Sequence, residues 1–70
     1  MDLEQIQKRL RESIRHSTLS QKEIAKNINV SPQTVSKYVK QNIFPALDTL
    51  AKLCKLLDVS ADYILGLCDY

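Results

Sequence analysis

Seventy residues with ten Lys plus Arg, eight Asp plus Glu, one Gly, two Pro and two Cys describe one small domain or a piece of something larger. At this size folding buries only about 60% of the unfolded surface, and two Cys cannot build a disulfide scaffold, so packing must hold the fold. One Gly and two Pro exclude a turn-rich all-β domain, and a hydrophobic fraction of 44% excludes disorder.

No apolar run approaches the roughly 18 residues of a membrane span, and Met1-Asp2-Leu3-Glu4-Gln5 leads into no apolar signal region. The expectation is a cytoplasmic, reducing setting with Cys54 and Cys68 as free thiols. Net charge is only +2, but its distribution is uneven. Residues 1–40 carry eight basic and four acidic side chains, and residues 41–70 carry two and four. The positive field therefore lies in the front half, where a polyanion would be met.

Leu3, Ile6, Leu10 and Ile14 recur at spacings of three and four, which predicts an amphipathic helix ending near Arg15 or His16. Ser20 and Glu23 then form an S-x-x-E capping box, with Leu19 and Ile24 as its hydrophobic staple. Ile24, Ala25 and Ile28 supply the buried face of a two-turn helix, and Asn29 suits a left-handed stop. The start signal repeats at once: Ser31 caps, Pro32 takes the first helical position, and Val30 and Val35 form a second staple. Val35, Tyr38 and Val39 point inward, leaving Gln33, Thr34, Ser36, Lys37 and Lys40 outward. Two short helices joined only by residues 29–31 must cross at a large angle, as in a helix-turn-helix.

After a loop in which Ile43 and Phe44 are expected to tuck under the domain, Leu47, Leu50, Ala51, Cys54 and Leu57 predict a fourth helix. Leu53 and Leu56 widen its apolar face, and Asp48 in the first turn suits the helix dipole. A last short helix begins at Ser60, with Val59 and Ile64 as a third staple and Gly66 as its stop. The expected fold is all-α, five helices in one domain spanning residues 1–70.

The run Leu19 to Tyr38, LSQKEIAKNINVSPQTVSKY, resembles the helix-turn-helix of the Cro and phage-repressor family. Pro45-x-Leu47-x-x-Leu50-Ala51-x-Leu53 and the stretch from Leu57 to Gly66 resemble that family's fourth and fifth helices. The resemblance runs from about Ile6 to Gly66 and implies a lambda-repressor-like arrangement. It makes residues 20–28 the supporting helix and residues 31–40 the recognition helix. Three positions depart from the family pattern: Asn29 and Gln41 where Gly is usual, and Val39 where Glu is usual.

A recognition helix turns its N-terminal residues toward base edges in the major groove. Gln33 is the first candidate, because its amide can pair with adenine N6 and N7, and Lys37 one turn on can donate to guanine. Thr34 and Ser36 flank them as further base contacts, and Pro32 offers an apolar one. For the DNA backbone, the resemblance gives Gln21 a phosphate or a bracing role behind Gln33. Lys22, Lys26, Lys40 and Asn42 are phosphate candidates, which supply affinity and register without sequence information. Glu23 is the only acid from Ser20 to Asn42, a local balance of +3.

No Ser-His-Asp arrangement, phosphate loop, paired carboxylates or metal-ligand spacing is recognisable, so neither catalysis, a metal, a cofactor nor a small-molecule substrate is expected. His16 reads as a polar helix end. The resulting reading is a sequence-specific transcriptional regulator, a bacterial or phage repressor acting as a homodimer on operator DNA. Leu53, Leu56, Tyr63, Leu65, Leu67 and Tyr70 are its candidate self-association surface. The competing reading is a protein-interaction module of the same fold, an antitoxin or anti-repressor partner that reads no DNA. Whether the chain is a complete regulator or the DNA-binding part of a longer one stays open.

Overall fold

The computed structural model describes residues 2–41 and 43–68, and its elements are α1 (Leu3–His16), α2 (Gln21–Ile28), α3 (Pro32–Lys40), α4 (Leu47–Leu57) and α5 (Ala61–Leu65). No strand occurs among the described residues. α2 packs on α3 and α4, α1 packs on α3 and α5, and α4 closes onto α5. The single core this creates contains Leu10, Ile24, Ile28, Val35, Leu53 and Ile64, all nearly inaccessible to solvent.

Local signals define where the helices begin. Asp2 accepts from the Glu4 amide, Ser20 from Glu23, Ser31 from Thr34 and Ser60 from Tyr63, at 3.0–3.2 Å. Each bond satisfies one of the orphan amides of a first helical turn. α4 is the exception, since Ala46 at its N-cap offers no side-chain acceptor. Leu19, Val30 and Val59, the outer halves of the three expected staples, are partly buried against the core that holds Ile24, Val35 and Ile64.

Three helix ends, those of α2, α4 and α5, follow one pattern, while α1 and α3 end in extended residues. Asn29 (φ 62°), Asp58 (φ 56°) and Gly66 (φ 79°) all adopt the left-handed conformation. The amide after each one reaches back five residues, Val30 to Ala25, Val59 to Cys54 and Leu67 to Asp62, at 2.8–3.0 Å. That bond is the signature of a Schellman turn, in which a left-handed residue lets the next amide satisfy an orphan carbonyl. Asn and Asp tolerate this conformation better than other residues with a Cβ. Asn29-Val30-Ser31 and Asp58-Val59-Ser60 are thus the same device used twice: a left-handed stop, an apolar plug, then a cap.

The expected inward faces of α2 and α3 are confirmed, and that of α1 from Ile6 onward. Three expectations are corrected. Leu47 and Ala51 do not face the core: Leu47 is 83% exposed, and the inward stripe of α4 is Leu50, Leu53 and Cys54, with Leu57 half-buried. Seven of the eleven residues of α4 are apolar, so spacings of three and four fit more than one face. Ile43 and Phe44 are exposed rather than tucked under the domain. Leu3, in the first turn of α1, is likewise mostly exposed at the rim. Leu3, Phe44, Pro45 and Leu47 border a shallow apolar groove whose floor includes Ile6 and Leu50.

The register of α4 is directly testable by urea unfolding. Leu53→Ala is expected to lose about 2–5 kcal/mol, the range for emptying a core leucine site. Leu47→Lys should stay within about 0.5 kcal/mol of the parent, as exposed substitutions do. The reverse order would put the stripe on the other face.

Candidate nucleic-acid interface

α2 begins with a complete capping box. The Glu23 amide donates to Ser20 Oγ and the Ser20 amide donates back to Glu23 Oε1, both at 3.1 Å. The bond from the Ser20 amide, followed by that with the Ser20 side chain, holds the Glu23 carboxyl below its ordinary range. The one acid among the motif's lysines is therefore tied to a helix N-terminus rather than facing outward unengaged.

Ile28 ends α2, Asn29 reverses the chain, and Ser31 caps α3 only two residues later. Val35, Tyr38 and Val39 anchor α3 in the core. Gln33, Lys37 and Lys40, spaced by four and three, then share the opposite face, and all three are exposed. Pro32 is exposed at the first helical position, and Thr34 and Ser36 are half-buried on the flanks. The Thr34 hydroxyl lies 2.8 Å from Ser31 Oγ, so its methyl is the group left for a partner. On α2, Gln21 is half-buried at the first position, and Lys22 and Lys26 are exposed one turn apart. Asn42, the remaining backbone candidate, lies outside the described residues.

The departures from the family pattern acquire local reasons. Asn29 supplies the left-handed turn that Gly usually supplies. Val39 is 2% exposed and fills the core, so this position takes an apolar residue instead of an acid. Gln41 is extended, with φ −124°, and its amide bonds the Lys37 carbonyl at 2.9 Å, a conformation that needs no glycine.

Two side chains of α1 hold the ends of other helices. Gln7, 6% exposed, donates from Nε2 to the Tyr38 carbonyl in the last turn of α3. Its Oε1 is buried without a hydrogen-bond partner among the described residues. Arg9 donates to the carbonyls of Tyr63 (2.6 Å) and Cys68 (3.0 Å), and its guanidinium lies 4.5 Å from the centre of the Tyr63 ring. Neither role was anticipated. A signal for Gln7 was present, since it sits four residues after Leu3 and three before Leu10, inside the apolar stripe of α1.

Among the described residues no group of three or more His, Cys, Asp or Glu is placed to hold a metal ion. Neither Cys54 nor Cys68 is in a disulfide, and burial pushes the Cys54 thiol up. No described helix is long and apolar enough to cross a membrane. The expected association surface changes: Leu53 is fully buried in the core, while Leu56, Tyr63 and Leu65 are partly buried against it. Tyr70 lies outside the described residues. The exposed large apolar side chains among those described are Leu3, Ile43, Phe44, Leu47 and Leu67.

A capped helix, a three-residue turn and a second helix presenting polar residues outward define a helix-turn-helix domain. The helix-turn-helix family model matches residues 4–64, and the chain belongs to that family, in its Cro and phage-repressor branch. It is 41% identical over 59 residues to the HTH-type transcriptional regulator ImmR of Bacillus subtilis (strain 168), covering 84% of this chain and 46% of the relative. It is 38% identical over 61 residues to the uncharacterized HTH-type transcriptional regulator YobD of the same organism, covering 87% and 54%. The chain thus spans about half the length of the curated relatives it matches. No solved structure matches it significantly.

Because the folded pKa of Glu23 is lowered, the capping box adds stability above the ordinary carboxylate range and loses it as pH falls through the folded value. A carbon-detected NMR titration should therefore place the Glu23 midpoint below that of an unstructured Glu. The stability gap between the parent and Ser20→Ala, about 1 kcal/mol at neutral pH, should narrow on acidification. An ordinary midpoint for Glu23 would contradict the capping box in solution.

Proposed function

We propose that the chain is the DNA-reading domain of a cytoplasmic transcriptional regulator of bacterial or phage type, acting as a repressor on an operator. The observation that carries this reading is the joint exposure of Gln33 and Lys37 one turn apart on α3, flanked by exposed Lys22, Lys26 and Lys40. The family and the printed names of its relatives support the same reading.

In this mechanism α3 enters the major groove with its N-terminal half toward the bases. The Gln33 amide pairs with adenine N6 and N7, and the Lys37 ammonium donates to guanine O6 or N7. The Thr34 methyl meets a thymine methyl, while Pro32 and Ser36 border the same base step. The N-terminus of α2, with Gln21, receives a phosphate, because its free amides and dipole favour an anion. Lys22, Lys26 and Lys40 contact neighbouring phosphates, and Asn42 is proposed to join them. Such contacts set register and affinity, whereas the α3 side chains set sequence preference. One domain covers few base pairs, so two copies bind half-sites about 34 Å apart, one turn of DNA. Repression follows from occupying a promoter and excluding polymerase. The chain is read as a binding module, with no catalytic role.

Selection from random duplexes should return a two-fold symmetric site with half-sites one helical turn apart. On that site Gln33→Ala should lose on the order of 1–3 kcal/mol and relax preference at one base position. Lys22→Ala should weaken every sequence alike and flatten the salt dependence. If Gln33→Ala leaves affinity and preference untouched, α3 is not docked as described. Salt-insensitive or absent DNA binding alongside tight binding to a protein would favour the interaction-module reading.

A further inference from the structure

We propose that Gln7 is a positioning residue for DNA recognition: it latches the last turn of α3 to α1 and so fixes the tilt of the recognition helix. The inference rests on the DNA-reading function proposed above. α3 is held at its N-terminal end by the Asn29 turn and the Ser31 cap. At the other end, the polar contact tying it to another helix is the bond from Gln7 Nε2 to the Tyr38 carbonyl. Apolar packing of Val35, Tyr38 and Val39 holds the helix against the core but is not directional. A hydrogen bond is, and this one joins residues 31 positions apart in the chain.

The orientation of the amide has one solution. Reversed, Gln7 would set its oxygen against the Tyr38 carbonyl oxygen, two acceptors face to face. The observed orientation leaves Oε1 buried without a donor among the described residues. The orphaned Oε1 costs at least as much as the made bond to Tyr38 contributes, so Gln7 is not a source of net stability. An apolar side chain of the same length would remove the orphaned Oε1 but leave the Tyr38 carbonyl without the Gln7 donor. The part of Gln7 that such a side chain cannot replace is direction.

Geometry shows why direction matters here. Lys37 lies about 7.5 Å along the helix axis from Pro32, at 1.5 Å per residue. A tilt of roughly 10° pivoting at the Asn29 turn moves it by about 1.3 Å, beyond the few tenths of an ångström that separate good from poor hydrogen bonds. Non-specific phosphate contacts made by long lysine side chains absorb such a shift. Contacts to a base edge, which must meet one pair at one depth in the groove, do not.

The test compares the parent, Gln7→Met and Gln7→Asn by fluorescence anisotropy on the selected operator and on a scrambled duplex, with urea unfolding alongside. Met keeps length and removes the donor, and Asn keeps the amide but falls one methylene short. For both variants the operator-over-scrambled preference is expected to fall at least tenfold. Scrambled-duplex affinity and the salt slope should match the parent, and Gln7→Met should still unfold cooperatively, with a midpoint at or modestly below the parent's. A preference within threefold of the parent overturns the inference, and so does a Gln7→Met variant that fails to fold, which would make Gln7 a structural residue. In the parent itself, the Gln7 Nε2 protons should exchange slowly with solvent and show contacts to the Tyr38–Val39 backbone, and fast exchange overturns the latch. A parent without any sequence preference would instead overturn the function reading and this inference with it.

Discussion

The left-handed turn at Asn29 is the constraint from which the rest of this domain follows. A helix that ends in ordinary right-handed geometry continues on its axis or unravels, whereas one left-handed residue sends the chain off at a steep angle within three positions. At Asn29 the reversal also turns the Val30 amide back onto the Ala25 carbonyl and sets Val30 against the core. Ser31 then caps α3 before any further chain is used. α3 is therefore launched from the end of α2 with its crossing direction already defined. The packing of Val35, Tyr38 and Val39 against the core, and the tie from Gln7, build on that launch.

The same device recurs at Asp58-Val59-Ser60, which turns α4 into α5. In a chain with one glycine, this reuse matters: among the described residues, Asn29 and Asp58 occupy two of the three left-handed positions and Gly66 the third. Short helices with economical turns leave little chain unassigned to the core or its surface. α1 then works as a spine, its Gln7 and Arg9 reaching carbonyls near the ends of α3 and α5. A small domain with a thin core thus gains order from polar ties between helix ends as well as from burial.

Most caps and turns were legible in the sequence because they are local: Ser20-x-x-Glu23, Asn29, Ser31-Pro32 and Ser60 each act within four residues of themselves, while the Asp2 cap and the Asp58 stop were not foreseen. The faces of α2 and α3 were legible for a related reason, since each carries just enough apolar residues for one stripe. The face of α4 was not, because Leu47, Leu50, Ala51, Leu53, Cys54, Leu56 and Leu57 satisfy the helical period in more than one rotation. Only contacts with α2 and α5 choose among them, and those are set by tertiary structure. Gln7 and Arg9 were illegible as ties for the same reason, their partners lying 31 and 54 positions away. The candidate DNA face, by contrast, was legible: Gln33, Thr34, Ser36, Lys37 and Lys40 are what remains outward when the inward stripe of α3 is removed. Net charge alone concealed it, because acids near the C-terminal end offset the lysines of α2 and α3.

On the proposed reading, α3 meets DNA through its exposed face while α2 receives the backbone at its N-terminus. Amide chemical-shift mapping during titration with a selected operator duplex tests this most directly, since it reports every residue without altering any. The largest changes are expected at Gln21–Lys22 and along Pro32–Lys40, with little at Leu3, Phe44 and Leu47 on the apolar groove. Changes concentrated on that groove, with α3 unmoved, would contradict it.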